Sequence, residues 1–256
     1  MRIISFSDLH LEFGSDILPP PDSEADVMVL AGDVITLKTY SPLERYLKDW
    51  KKPVLIVMGN HEYYTRSPMD EEERKFAAWL ANEHENVRLL LDDEVSIDGV
   101  NFFGGTMWTD FAGGDELAME SAQQQMNDFR LIKTAEGKTL EPADTIGYHE
   151  AFMKKLKAWL AKDISGPRVV VTHHSPVLNP KTRYGKSPCM FAFNSLDMTD
   201  IIKKHKPDLW VYGHTHECDD QTIGKTRIIS NQLGYPDKAR GYECAGFDKA
   251  GIPVDL

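Results

Sequence analysis

Residues 209–216 read Leu209-Trp210-Val211-Tyr212-Gly213-His214-Thr215-His216. A short apolar run, rich in branched and aromatic side chains, predicts a strand over Leu209–Tyr212, and Gly213 marks its end. Positions two apart in an extended chain point the same way, so His214 and His216 are expected to face one site. Imidazole is the commonest metal-binding side chain.

Working outward, the same junction recurs. Arg168–Thr172 runs into His173-His174-Ser175-Pro176, and Val54–Met58 into Gly59-Asn60-His61-Glu62. Val27–Leu30 is followed by Gly32-Asp33, and Arg2–Phe6 by Asp8-Leu9-His10. Each has a plain counterpart when taken alone. A D-x-H triplet is common surface chemistry, Gly-Asp is an ordinary turn, and a histidine pair before proline also fits a turn. Together they place metal-type side chains where predicted strands give way to loops. That is the edge at which open α/β sheets bind ligands. Six of the nine histidines fall in these junctions. His84, His149 and His205 lie in charged helical stretches and read as solvated surface.

Further strands are predicted over Val87–Leu91, Val95–Ile97, Asn101–Gly104 and Arg227–Ser230. Helices are predicted over Pro42–Trp50, Pro68–Glu83, Ala143–Ala161 and Leu196–Lys204. Ser41-Pro42 and Ser67-Pro68 read as a capping serine followed by proline at the first helical position. The mixture predicts an α/β fold. With no repeat, low-complexity tract or linker, residues 1–256 are expected to form a single domain. Three stretches, Glu12–Glu24, Asp110–Asp115 and Asn179–Asn194, read as long loops of the kind that bind or cover ligands.

The composition is that of a soluble globular protein, with 41% hydrophobic and 27% charged residues. A net charge of −11 argues against a nucleic-acid footprint, so nucleic acid is an unlikely partner. No apolar run is long enough to span a bilayer, and none is expected to engage a membrane. The N-terminal apolar run is too short for a secretion signal. Three cysteines, none in a C-x-x-C pair, fit a reducing compartment, and the expected localisation is cytoplasmic.

The ordered series Asp8-x-His10, Gly32-Asp33, Gly59-Asn60-His61-Glu62, His173 and Gly213-His214-x-His216 resembles the calcineurin-like metallophosphoesterase family. That resemblance implies a four-layer α-β-β-α sandwich of two mixed β-sheets flanked by helices. It implies two divalent metal ions, one held by Asp8, His10 and His216, the other by Asn60, His173 and His214, with Asp33 bridging. It also implies in-line attack on phosphorus by metal-activated water, with His61 as general acid. The mixed nitrogen and oxygen ligands suit Mn, Fe, Zn or Ni without choosing among them.

One departure matters. Protein serine/threonine phosphatases of this family continue the second motif as Gly-Asp-x-x-Asp-Arg-Gly, whereas this chain has Thr36 at the second aspartate and no arginine. This argues against a protein phosphatase and leaves the orientation of His61 unassigned. The expected partner is a small phosphoester, cleaved by a phosphodiesterase or phosphomonoesterase. A nuclease and a catalytically weak binding module retaining the fold are the alternatives. His174, Arg130, Arg183 and Lys186 are candidate substrate contacts, the cations by gripping phosphate oxygens.

Overall fold

The runs Val27–Ala31 and Val54–Val57 are buried at every position. A strand covered on both faces reads as continuous hydrophobic sequence, so these two show no alternation. The computed structural model describes residues 1–21, 23–185, 187–194 and 198–256. One sheet contains β1 (Arg2–Phe6), β2 (Val27–Ala31), β3 (Val54–Val57) and β4 (Val87–Leu90). The other contains β5 (Asp93–Ile97), β6 (Val100–Gly105), β7 (Arg168–Thr172), β8 (Leu209–Val211), β9 (Asp219–Ile223) and β10 (Thr226–Ser230). A small ribbon pairs β11 (Pro236–Asp237) with β12 (Gly241–Tyr242), and β13 (Val254–Asp255) completes the first sheet. The strand orders are β13-β1-β2-β3-β4 and β5-β6-β7-β8-β10-β9. In each sheet the central strands are parallel, with antiparallel partners at β13, β5 and β9.

Period-two alternation sorts the side chains of these strands into separate cores. Ile3, Val29, Leu55 and Val57 point inward and meet Phe102, Val169, Val171 and Val211 between the sheets. Ile4, Met28, Leu30 and Ile56 point outward onto helices α1 (Ser41–Leu47) and α2 (Met69–Glu83), through Tyr46, Phe76 and Leu80. On the far side Val170 and Trp210 pack against α3 (Pro142–Leu160) and α4 (Thr199–His205), through Phe152, Leu156, Trp159 and Ile202. Each fully buried aliphatic side chain contributes about 1.5–3 kcal/mol. The result is the expected four-layer sandwich. Its parallel strands β1, β2, β3, β7 and β8 deliver their following loops to one site.

Several local expectations are corrected. Neither serine caps its helix: α1 starts at Ser41 after Tyr40, and α2 at Met69 after Pro68, with no side-chain cap in either case. The Ser41 hydroxyl instead meets that of Thr39 at 3.0 Å. The loop Asp110–Asp115 holds a turn, Phe111–Gly114, whose residues all have positive φ. Further short helices cover Glu116–Gln125, Asp128–Leu131 and Met190–Phe193, the last within the stretch expected to be loop. Of the helix expected over Leu196–Lys204, Thr199–His205 is observed, and residues 195–197 lie outside the described residues. His149 is not surface: it is 7% exposed, with Nδ1 2.6 Å from the Trp108 carbonyl. It sits on the inward face of α3, where the charge of the surrounding sequence says nothing about its own direction. His84 and His205 are half-buried.

Candidate metal centre

The site is built on strained backbone. Asp8, His10, Asp33, His214 and His216 all have φ between 43° and 71°. Non-glycine residues in this region cost energy and cluster at functional sites. The pairs Asp8/His10 and His214/His216 therefore converge through left-handed turns and not, as expected from spacing, along an extended chain. The crowding is severe. A Cβ at Gly213 would lie 2.6 Å from an Asp8 carboxylate oxygen, and one at Gly59 would lie 2.6 Å from the Asp33 nitrogen. Glycine lets these loops approach that closely.

Two sets of ligand-type atoms result. In the first, His10 Nε2 stands 3.1 Å from His216 Nε2, which lies 3.4 Å from Asp8 Oδ1. In the second, His173 Nε2 lies 3.0 Å from Asn60 Oδ1 and 3.2 Å from His214 Nδ1. Asp33 turns Oδ2 toward His10 at 3.9 Å and Oδ1 toward His173 at 3.4 Å, so it reaches both sets. Within each of the groups Asp8-His10-His216 and Asp33-His173-His214, one potential ligand atom per residue lies within 4.8 Å of the others.

These residues fit metal ions on their hydrogen bonding. His173 Nδ1 donates to the Ala31 carbonyl at 2.9 Å, and His216 Nδ1 to Glu243 Oε2 at 2.6 Å. Each ring, when neutral, therefore aims an Nε2 lone pair into its set. Asn60 Nδ2 donates to Asp128 Oδ1 at 2.8 Å and to the Tyr64 hydroxyl at 3.1 Å, which turns Oδ1 inward. Lone pairs thus face one another across 3.0–3.4 Å, an arrangement a cation relieves. Burial opposes ionisation of Asp33, but His173 and then His61, when protonated, hold its carboxyl well below the usual range.

Sequence reading gave no role to the residues that fix these ligands, although Glu62 lies within the third motif. Fully buried Glu62 accepts the backbone N–H of Asp33, Val34, Ile35 and Gly59 at 2.7–3.3 Å, locking the second and third loops together. Asp128 and Glu243 act on their ligands from far away in sequence. The only signal for Asp128 was its place beside the singled-out Arg130.

His61 lies 6% exposed beside the ligands, its backbone N–H donated to Asp33 Oδ1 at 2.8 Å. Its Nε2 is 2.8 Å from the Tyr235 hydroxyl, and its Nδ1 is 3.4 Å from Glu12 Oε1. His61, Asn60, Asp33, His214 and His216 line a cavity of about 250 Å³, walled by Tyr64, Tyr184, Phe193 and Tyr235, with Gln125 and Asn127 at its rim. Tyr184 and Phe193 come from the expected loop Asn179–Asn194. No lysine or arginine is among the described residues of this lining.

The candidate substrate contacts are scattered. His174 is 1% exposed, tilted against His214 with ring centroids 4.2 Å apart, and outside the cavity lining. Burial and then His173 push its pKa down to about 3, which keeps it neutral. Arg130 is exposed and bonds the Gln124 carbonyl. Arg183 pairs with Glu243 at 2.6 Å, and so braces the carboxylate that holds His216. Lys186 lies outside the described residues.

The chain is 25% identical to the uncharacterized protein L509 of Acanthamoeba polyphaga mimivirus, the match covering 94% of each chain. Its fold is similar to that of a phosphopantetheinyl hydrolase from Mycobacterium tuberculosis, with TM-score 0.70, 18% identity, and 91% of this chain and 89% of that one covered. It is also similar in fold to a dimetal phosphatase from Danio rerio, with TM-score 0.57, 13% identity, and coverage of 91% and 87%. The model of the calcineurin-like phosphoesterase family matches residues 1–218, spanning every loop that carries a candidate ligand, and the chain belongs to that family.

Proposed function

We propose that this chain hydrolyses small phosphoesters, with Asp8, His10 and His216 holding one divalent ion, Asn60, His173 and His214 a second, and Asp33 shared between them. The observation that carries this reading is that one Asp33 oxygen faces each ligand set while His61 Nε2 opens into the adjoining cavity. When bound, Mn, Fe, Zn or Ni ions would supply Lewis acidity toward phosphoryl oxygens and water.

The chain's own residues do the rest. His61 gives a proton from Nε2 to the departing alkoxide oxygen as its bond to phosphorus breaks. Tyr64, Tyr184, Phe193 and Tyr235 offer apolar faces to the ester groups and exclude bulk water. With no cation in the described lining, recognition of negative charge falls to the metals. This favours a phosphodiester, or a monoester of an apolar or aromatic alcohol, over a polyphosphate. A net charge of −11 supports a small substrate over nucleic acid.

The test is a panel of esters with the metal-loaded enzyme: p-nitrophenyl phosphate, bis-p-nitrophenyl phosphate, a phosphopantetheinyl ester and a nucleoside triphosphate. The reading expects the diester or aromatic monoester to give the highest kcat/KM. A clear preference for the triphosphate would overturn the substrate class.

A further inference from the structure

With Thr36 in place of a second-motif aspartate, the first motif supplies a different carboxylate. Glu12 follows His10 at the same spacing at which His10 follows Asp8. Its side chain is 12% exposed, with Oε1 3.4 Å from His61 Nδ1 and 3.6 Å from His10 Nδ1. Both Glu12 oxygens and both Nδ1 atoms are buried and none makes a hydrogen bond, so the carboxylate and the two rings stand at ion-pair distance with their polar atoms otherwise unpartnered. A buried carboxylate facing only imidazole N–H positions is costly unless it takes those hydrogens.

The placement is rigid. Left-handed backbone at His10 and Gly14 brackets the turn Leu11–Phe13 that carries Glu12. His10 N–H and Leu11 N–H donate to the carbonyls of Asp33 and Val34 at 3.0 and 2.9 Å, pinning the turn to the second loop. On the other side of the His61 ring, Nε2 meets the Tyr235 hydroxyl at 2.8 Å inside the cavity. His61 thus turns Nε2 toward the cavity and Nδ1 toward Glu12.

We propose that Glu12 is the positioning residue of His61, accepting Nδ1–H so that Nε2 presents its proton to the leaving oxygen. The proposal rests on the reading of His61 as the leaving-group acid. When the ester P–O bond breaks, its electron pair stays on the leaving oxygen, which takes the Nε2 proton. His61 is left neutral with Nδ1–H still on Glu12. One water is consumed, its hydroxyl going to phosphorus and its remaining proton restoring His61 through solvent.

The test uses methyl aryl phosphodiesters whose phenols range from dinitrophenol, which leaves unaided, to phenol, which needs a proton. Metal content is measured for every variant. We expect His61→Ala and Glu12→Ala each to lower kcat about 100-fold on the phenol ester and less than about threefold on the dinitrophenol ester. The double variant should be no worse than either single one. Glu12→Gln, whose amide oxygen still accepts Nδ1–H, should fall between wild type and Glu12→Ala and serves if the alanine variant fails to fold. If His61→Ala slows all esters equally, the acid reading of His61 is wrong. If His61→Ala depends on the leaving group but the Glu12 variants do not, the proposal for Glu12 is overturned. Metal loss with uniform slowing on Glu12 substitution would likewise overturn it, leaving Glu12 as a support for His10 alone.

Discussion

Asn60 is turned toward His173 by Asp128: the amide nitrogen is 2.8 Å from Asp128 Oδ1, and the amide oxygen is 3.0 Å from His173 Nε2. Without that carboxylate, the amide would keep only its 3.1 Å bond to the Tyr64 hydroxyl to hold its oxygen inward. Asp128→Ala is expected to weaken metal binding at the Asn60-His173-His214 set about 10–100-fold. Calorimetric titration of the metal-stripped variant with Mn²⁺ checks this. Unaltered affinity at both steps would show that Asn60 needs no such support.

Glu62 presents its two oxygens to four backbone donors. Glutamine at this position keeps one acceptor and adds an NH₂ group facing N–H groups. Glu62→Gln is therefore expected to lose about 2–4 kcal/mol of stability, since buried donors left without partners cost about 1–3 kcal/mol each. Urea unfolding measures it, and a loss below about 1 kcal/mol would mean the loops hold together by other means.

His149 bears on acid stability. Burial lowers its pKa below the ordinary 6.5, only partly offset by the Trp108 carbonyl. A depressed histidine pKa means the unfolded chain binds the proton more readily than the folded one. The stabilisation is complete above about pH 6.5 and is lost as pH falls toward the folded-state value. His149→Gln keeps a donor for Trp108 and removes this titration. Between pH 7 and pH 5 wild type should lose more stability than the variant; equal losses would contradict the assignment.

Arg183 pairs with Glu243, which holds His216. Arg183→Ala is expected to weaken metal retention a few-fold and to leave KM nearly unchanged once metal is saturating. A large rise in KM at saturating metal would instead place Arg183 on the substrate.

Much of this was legible in the sequence because strands and motifs are local. The runs ending before Asp8, Asp33, Asn60, His173 and His214 are predominantly apolar, and each stops at its motif. The charged edge strand Asp219–Ile223 was not legible, since its sequence Asp-Asp-Gln-Thr-Ile lacks an apolar face. Edge strands carry such charges because they are paired on one side only. The residues that orient the ligands were hidden for a different reason. Asp128 acts on Asn60 across 68 positions, and Glu243 on His216 across 27. No spacing rule encodes such contacts. Glu12 was open to the same two-residue spacing that picked out Asp8 and His10, although a turn and not an extended strand delivers it.

The proposed role of Asp33 is to link two metal ions that the reaction requires. It is tested most directly by turnover of bis-p-nitrophenyl phosphate by metal-stripped protein, with and without Mn²⁺, for wild type and Asp33→Asn. Wild type is expected to regain activity as two equivalents bind, and Asp33→Asn, though folded, is not. Turnover without metal, or full activity in Asp33→Asn, would contradict it.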